Sequence, residues 1–333
     1  MSSVFSTPPP DFSEKEISEF ILNHFGLSSD AENLYSDRDQ NFFIRPISDK
    51  PFILKISNCA EKRSVIEMQD EATKSISHND PELGIPLQIG KIHTIEKDGI
   101  SYFSRRIEYI RGKFLKDKNL DEKSHEKLGA FLGRLSLALH GFSHLKADRI
   151  FEWDVRNIDL IKYRCDYLNS ESEKATIIHF LNEYEKNVIP LISDLRMAVI
   201  HNDGNEHNIL VDEAGDAIGI IDFGDMVYSY QVSEPAICMA YVGLEKDNPF
   251  STMAQILKGY HSVFRLNDSE IKSAIWLSCI RLCISVTMSA WRCKLFPDNQ
   301  YLSISQKAVW DLLRKLEKED LDALSIKIIS IVK

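Results

Sequence analysis

Basic residues are in short supply. Forty lysines and arginines face fifty aspartates and glutamates, for a formal net charge of −10. Nucleic acids and anionic membranes both require a basic face, so neither is an expected partner. A polyanionic ligand such as a nucleotide would have to be held by local donors and metal ions. No Cys-x-x-Cys pair occurs among Cys59, Cys165, Cys238, Cys279, Cys283 and Cys293, and no histidine cluster joins them. They read as small buried hydrophobes in a reducing compartment. Residues Met1–Phe12 lack the basic and apolar regions of a signal peptide, which makes a cytoplasmic location the expectation. The most hydrophobic stretch, Ile271–Trp291, is interrupted by Lys272 and Arg281, and it reads as a core helix of a soluble protein. Internal repeats and low-complexity tracts are absent too.

What is there suits a two-lobed enzyme. The chain has 333 residues, 44% of them apolar, enough for a sizeable core. Residues 1–12 read as a flexible leader ending in Pro8-Pro9-Pro10. Ser13 stands three residues before Glu16, a capping-box spacing, and Ile17, Phe20, Ile21 and Phe25 follow at helical intervals until Gly26. Asn41–Ile47 and Phe52–Ser57 predict a hairpin, Val65–Ile76 a helix, and Ile85–Ile95 with Ile100–Ile110 a second hairpin. Beyond Gly112 the pattern changes. Glu122–Leu145 and Glu173–Val188 predict long helices, Ala198–Ile200, Ile209–Val211 and Ile218–Ile221 short strands, and everything after Ser233 helix. The expected fold is α+β: a small β-rich N-lobe over 13–110 and a larger, mostly helical C-lobe over 111–333.

The chemistry concentrates in two segments. Between the strands of Val199–Val211 lies a polar loop with His201, Asp203 and Asn208, and the strand Gly219–Ile221 ends in Asp222-Phe223-Gly224. Phosphoryl transfer needs a carboxylate near the acceptor hydroxyl and oxygen ligands for a divalent metal among the phosphates. Asp203 can be the first; Asn208 and Asp222 can be the second. His-x-Asp, an Asn five residues on, and Asp-Phe-Gly fourteen residues later resemble the kinase catalytic loop and its metal-binding segment. Lys55, among apolar neighbours in Phe52–Ile56, then becomes a candidate for the α- and β-phosphates, although such a lysine otherwise merely snorkels from a strand. Its partner should be a carboxylate on the next helix, where Glu67 is preferred; Glu71 shares that face and Gln69 lies on another. No glycine-rich loop precedes it. The polar run Ser36–Phe42, with Gln40 and Asn41, either cradles phosphates or is a solvated turn.

Taken together, these segments resemble the aminoglycoside phosphotransferase/choline kinase family, which has a protein-kinase-like fold. The resemblance runs from about Phe12 to Leu316, and within the family the chain is most similar to hydroxylysine kinases and to phosphotransferase modules fused to aminotransferases. Its marks include Asp39–Phe42, Ile66–Gln69, Glu108–Gly112, Trp153-Asp154, Ile220–Met226, Ser289–Arg292 and Pro297–Leu302. It implies a Mg²⁺-dependent kinase using ATP or GTP, with Asp203 as base, Asn208 and Asp222 on the metal, Lys55 on the phosphates, and the Glu108-Tyr109-Ile110 backbone meeting the purine. One departure is Asn202-Asp203-Gly204, where much of the family has Gly-Asp-Leu; it bears on loop packing.

About ten residues separate Asp222 from the next apparent helix, too few for a long activation loop, so a protein substrate is not expected. Trp153, Asp154, Asp225, Glu234, Trp291, Arg292 and Tyr301 are candidates for a small acceptor, each with a structural alternative. Glu234, with His201, would instead brace the catalytic loop. Arg292 together with acidic residues would suit an amino acid bearing a hydroxyl, the acceptor class the resemblance implies. Three readings stay open: a hydroxylated amino-acid or amino-alcohol kinase; another small-molecule kinase acting on choline, ethanolamine, homoserine, a sugar or an aminoglycoside; and a nucleotide-binding pseudokinase.

Overall fold

The computed structural model describes residues 3–118, 120–299, 302 and 306–333. The chain divides into two compact units. The first comprises Met1–Lys74 and Ile85–Arg111, the second Ser75–Gly84 and Gly112–Lys333.

The first unit is an antiparallel sheet in the order β1-β2-β3-β5-β4, made of β1 (Ser29–Leu34), β2 (Gln40–Pro46), β3 (Phe52–Ile56), β4 (Gln88–Lys97) and β5 (Ile100–Glu108). Helix α1 (Glu14–Phe25) opens on the expected capping box between Ser13 and Glu16 and closes on left-handed Gly26. Its inner face, Ile17, Phe20 and Ile21, joins Phe42, Ile44, Phe52, Leu54 and Ile56 from the sheet in one core. Strand β1 was not foreseen. Ser-Asp-Ala-Glu-Asn-Leu carries no apolar alternation because it is a charged edge strand with few buried side chains. The leader expected to be flexible is packed instead: Phe5 and Phe12 are buried, and Asn58 Nδ2 donates to the carbonyls of Thr7 and Pro8. Helix α2 (Arg63–Asn79) buries Val65, Ile66, Met68, Gln69, Ala72, Thr73 and Ile76, and so turns Glu67 and Glu71 outward.

The second unit is mostly helical: α3 (Glu122–Ala138), α4 (Ile158–Arg164), α5 (Glu171–Asn187), α6 (Ser233–Val242), α7 (Pro249–Val263), α8 (Asp268–Leu295), α9 (Gln306–Leu316) and α10 (Leu321–Val332). Helix α3 stops well short of Leu145, because the chain turns through Leu139 and left-handed Gly141. Helices α3 and α7 meet backbone to backbone: a Cβ at Gly259 would lie 1.8 Å from the Glu126 carbonyl oxygen. Helix α8 is long and apolar enough to cross a membrane, but 94% of its most apolar window is buried within the protein, as a core helix requires. Of the six cysteines, two depart from the buried expectation: Cys59 is exposed and Cys293 half-buried.

Two small sheets hold the catalytic segments. Strand β7 (Met197–Ile200) pairs with β10 (Val227–Tyr230), whereas β8 (Ile209–Val211) pairs with β9 (Ala217–Ile220) and with β6 (Lys113–Phe114). The strands flanking the polar loop thus belong to different sheets rather than to one hairpin, and the loop bridges them.

Candidate active site

Residues 201–208 must reverse from one sheet into another within a few residues, and two features make that possible. Asn202 adopts φ +66°, a left-handed conformation that Asn tolerates better than most side-chain-bearing residues. Its Nδ2 donates to the Asp225 carbonyl. From α6, Glu234 Oε2 accepts from the backbone N–H of His201 at 2.6 Å and of Asn202 at 3.4 Å. Glu234 is wholly buried, and burial foremost pushes its carboxyl up to about 7, the neighbouring Asp203 charge adding to the rise. His201 is buried as well; its Nδ1 lies 3.2 Å from the Asp203 N–H and its Nε2 3.1 Å from the Ile221 carbonyl. This pair of contacts fits a neutral ring accepting at Nδ1 and donating at Nε2, and burial lowers its pKa to about 4.

These supports present Asp203. Its Oδ1 accepts from Asn205 Nδ2 at 2.9 Å, and its Oδ2 from Asn208 Nδ2 at 2.6 Å. Asn208 also donates to the Asp203 carbonyl, and its own carbonyl accepts from Ile221 N, which ties the loop to the strand leading into Asp222. Asp222 itself sits at φ +61°, its Oδ1 accepting from Gly224 N. Burial, then the charge of Asp225, raises the Asp203 carboxyl to about 7, with Asp222 adding to the rise and Arg281 opposing it.

Arg281 is the residue that sequence reasoning missed. It is 1% exposed at the middle of α8. Its Nη2 donates to Asp203 Oδ1 at 2.9 Å, its Nη1 to the Trp153 carbonyl at 2.7 Å, and its Nε to Tyr241 Oη at 3.2 Å. The guanidinium also lies over the rings of Trp153 and Tyr241. A charged residue in a helix apolar on every face signals a buried pair, and that signal was in the sequence.

The other candidates divide. Lys55 is buried and its Nζ lies 3.1 Å from Asp39 Oδ2, on the residue just before β2. The α2 partner expected for it is therefore not Glu67, which pairs on the surface with Arg63 because the inner face of α2 is apolar and amide-bearing. Gln69, on that inner face, accepts instead from Arg105. Gln40 is also occupied: its amide makes reciprocal bonds to the backbone of Phe12, so it pins the leader rather than a phosphate. Asn41 lies opposite Lys55 in the sheet and donates to Ser36. Glu108 ends β5 beside Leu87, Tyr109 packs on Phe43 with tilted rings whose centroids lie 4.6 Å apart, and Ile110 is half-buried.

Among the acceptor candidates, Asp154 is corrected. It is fully buried, and its carboxylate is taken up by Arg156 and by Ser229 Oγ at 2.7 Å, so it needs no cationic ligand. Trp153 serves Arg281 with both its carbonyl and its ring. Trp291 carries Arg164 over its ring, and Arg292 is buried near Phe296. Tyr301 lies outside the described residues.

The profile of the phosphotransferase enzyme family matches residues 30–266. The chain is 30% identical to hydroxylysine kinase of Mus musculus, with 92% of this chain and 90% of that one covered, and 27% identical to the Bos taurus protein over the same shares. Among solved structures it resembles a microcompartment-associated aminopropanol kinase, with a TM-score of 0.76 at 14% identity, 94% of this chain and 99% of the other being covered. It also resembles the amicoumacin kinase solved with AMP-PNP and Ca²⁺, with a TM-score of 0.69 at 14% identity and 94% and 97% coverage. At such identities these two likenesses establish the kinase-like fold.

Proposed function

Since the chain belongs to the phosphotransferase enzyme family, whose members here are kinases with an alcohol group as acceptor, we propose that it moves the γ-phosphoryl group of ATP or GTP onto the hydroxyl of a hydroxylated amino acid, hydroxylysine before others. The observation that carries the reading is the Asp203 carboxylate: presented on a braced loop, bonded to Asn208, and linked through Asn208 and Ile221 to the strand that ends in Asp222. Four hydroxylysine kinases match about nine-tenths of the chain, which favours that acceptor within the class.

In this reading Asp203 orients the acceptor hydroxyl and takes its proton as the oxygen bonds to phosphorus. The bond from the γ-phosphorus to its bridging oxygen breaks in line, and the nucleoside diphosphate leaves. Asn208 spends its Nδ2 on Asp203, so its Oδ1 is the atom left for a metal; Asp222 supplies the other oxygen. Among the described residues no set of three or more His, Cys, Asp or Glu is gathered for a metal. Two protein oxygens fit Mg²⁺ that takes its remaining ligands from phosphates and water. Once bound, it would neutralise charge developing on the transferred group. Lys55, kept straight by Asp39, is assigned to the α- and β-phosphates, and the backbone at Glu108–Ile110 to the purine. Arg292 is the sequence-level candidate for the acceptor carboxylate.

The test is an acceptor screen with purified protein, Mg²⁺ and each nucleotide, comparing hydroxylysine, ethanolamine, choline, homoserine and hexoses by release of ADP or GDP. Preference for hydroxylysine supports the reading. Preference for choline, ethanolamine or a hexose moves the acceptor to another branch of the family. Release with none of them, despite nucleotide binding, would favour a pseudokinase.

A further inference from the structure

Arg164 closes α4, and α4 packs on α8. The residue is 5% exposed, and its guanidinium carbon lies 4.5 Å from the centre of the Trp291 ring. Among the described residues no oxygen accepts a hydrogen bond from it, and no carboxylate forms an ion pair with it. Arg281, more deeply buried and on the same helix as Trp291, shows the contrast, with three acceptors within 3.2 Å. Burial disfavours the charge of Arg164, and Glu152 is the acid whose charge most favours it. A guanidinium largely withdrawn from water and without a protein acceptor is costly, and a ring beneath it offsets only part of that cost.

Arg164 is tied to the reacting end by short steps. Glu152 precedes Trp153; the Trp153 carbonyl accepts from Arg281; Arg281 donates to Asp203. Arg281 and Trp291 lie ten residues apart on one unbroken helix, about 15 Å along its axis. An extended amino acid, together with the side chains that reach in from either end, spans such an interval. A planar fork of donors carried over an indole ring, with no acceptor of its own among the described residues, can receive a carboxylate in two parallel bonds. Resting on the acceptor class proposed above, we infer that Arg164 receives the α-carboxylate of the amino-acid acceptor and so selects it over amino alcohols that lack one. This gives the acceptor a cationic contact besides Arg292, on a residue that sequence reasoning did not single out.

The experiment compares wild type, Arg164→Gln and Arg164→Lys on hydroxylysine and on its decarboxylated counterpart, the diamino alcohol that lacks only the carboxylate. Arg164→Gln should narrow the wild-type preference for hydroxylysine, as the ratio of kcat/KM values, by about 10- to 100-fold, most of it in KM. Arg164→Lys, which keeps the charge, should restore part of it. Thermal unfolding of each variant separates this from misfolding, because a loss of fold lowers activity on both acceptors together. If wild type uses hydroxylysine and Arg164→Gln leaves the ratio unchanged, the inference falls while the proposed function stands. If wild type phosphorylates no hydroxylated amino acid, the proposed acceptor falls, and this inference with it.

Discussion

Arg281 Nη2 donates to Asp203 Oδ1 at 2.9 Å, so the residue assigned as base is held by a cation that is itself 1% exposed and bonded to Trp153 and Tyr241. The pair joins the loop that presents the reacting group to the longest helix of the protein. Arg281→Met preserves the length of the stem and removes the fork. We expect kcat to fall by about 10- to 100-fold with a smaller change in the KM for nucleotide, because the base loses its orientation while Lys55 and the metal oxygens stay. Breaking a buried pair also costs about 3 kcal/mol of stability. Steady-state kinetics with denaturant unfolding measures both; wild-type kcat in a folded variant would show that the clamp does not serve the base.

Asp203→Asn keeps the shape of the side chain and removes its basicity. Turnover should drop by about 10²- to 10⁴-fold while nucleotide affinity, read by titration calorimetry, stays within about twofold of wild type. Turnover near the wild-type rate on the true acceptor would end the base assignment.

Lys55→Met should weaken Mg²⁺-nucleotide binding and slow turnover by about tenfold or more, since a charge-assisted contact to phosphate is lost while the buried stem remains. Glu67→Gln should change neither by more than about twofold, because Glu67 is half-exposed and engages only Arg63 across one helical turn. The sequence pattern favoured Glu67 as the partner of Lys55; strong impairment in Glu67→Gln would restore it to that place.

Glu234 carries a pH signature. Burial raises its folded pKa to about 7 from an ordinary value of 4.5. The folded state therefore holds a proton that the unfolded state has already released between those values, and the stability of the wild type declines as pH rises through that window. Glu234→Gln cannot titrate, yet its carbonyl can still accept from His201 and Asn202. The variant should gain stability relative to wild type as pH rises from 4.5 to about 7, flattening outside that window. Thermal unfolding at a series of pH values gives the difference directly. A difference that is constant, or that moves the other way, would overturn the assignment.

Much of this was legible in the sequence wherever local rules and tertiary demands agree. The Ser13–Glu16 capping box opens α1, the Asn267-Asp268 break starts α8, and the polar loop around Asp203 stands where the spacing put it. Other features were silent because their causes are not local. Strand β1 exists by pairing with β2 and has no apolar pattern of its own; β10 hides in a short connection. The Lys55–Asp39 pair joins β3 to the residue that leads into β2, while the helical spacing pointed to Glu67. Gln40 and Asp154 looked available as polar residues in motifs, but both are consumed within the protein, by the Phe12 backbone and by Arg156 with Ser229. Arg281 appeared only as a charge in an apolar stretch, and Arg164, between Lys162 and Asp166, did not stand out at all; what each holds depends on which element lies across from it.

Helix α8 also fastens the start of β7, for Glu270 in its first turn takes the fork of Arg196. One rod therefore carries Glu270, Arg281 and Trp291, and its 3.6-residue pitch works as a gear. An insertion or deletion of one residue between Arg281 and Trp291 would turn one relative to the other by about 100°. The spacing of these residues along α8 is therefore quantised: divergence here can proceed by substitution, or by whole turns, but not by single steps in length.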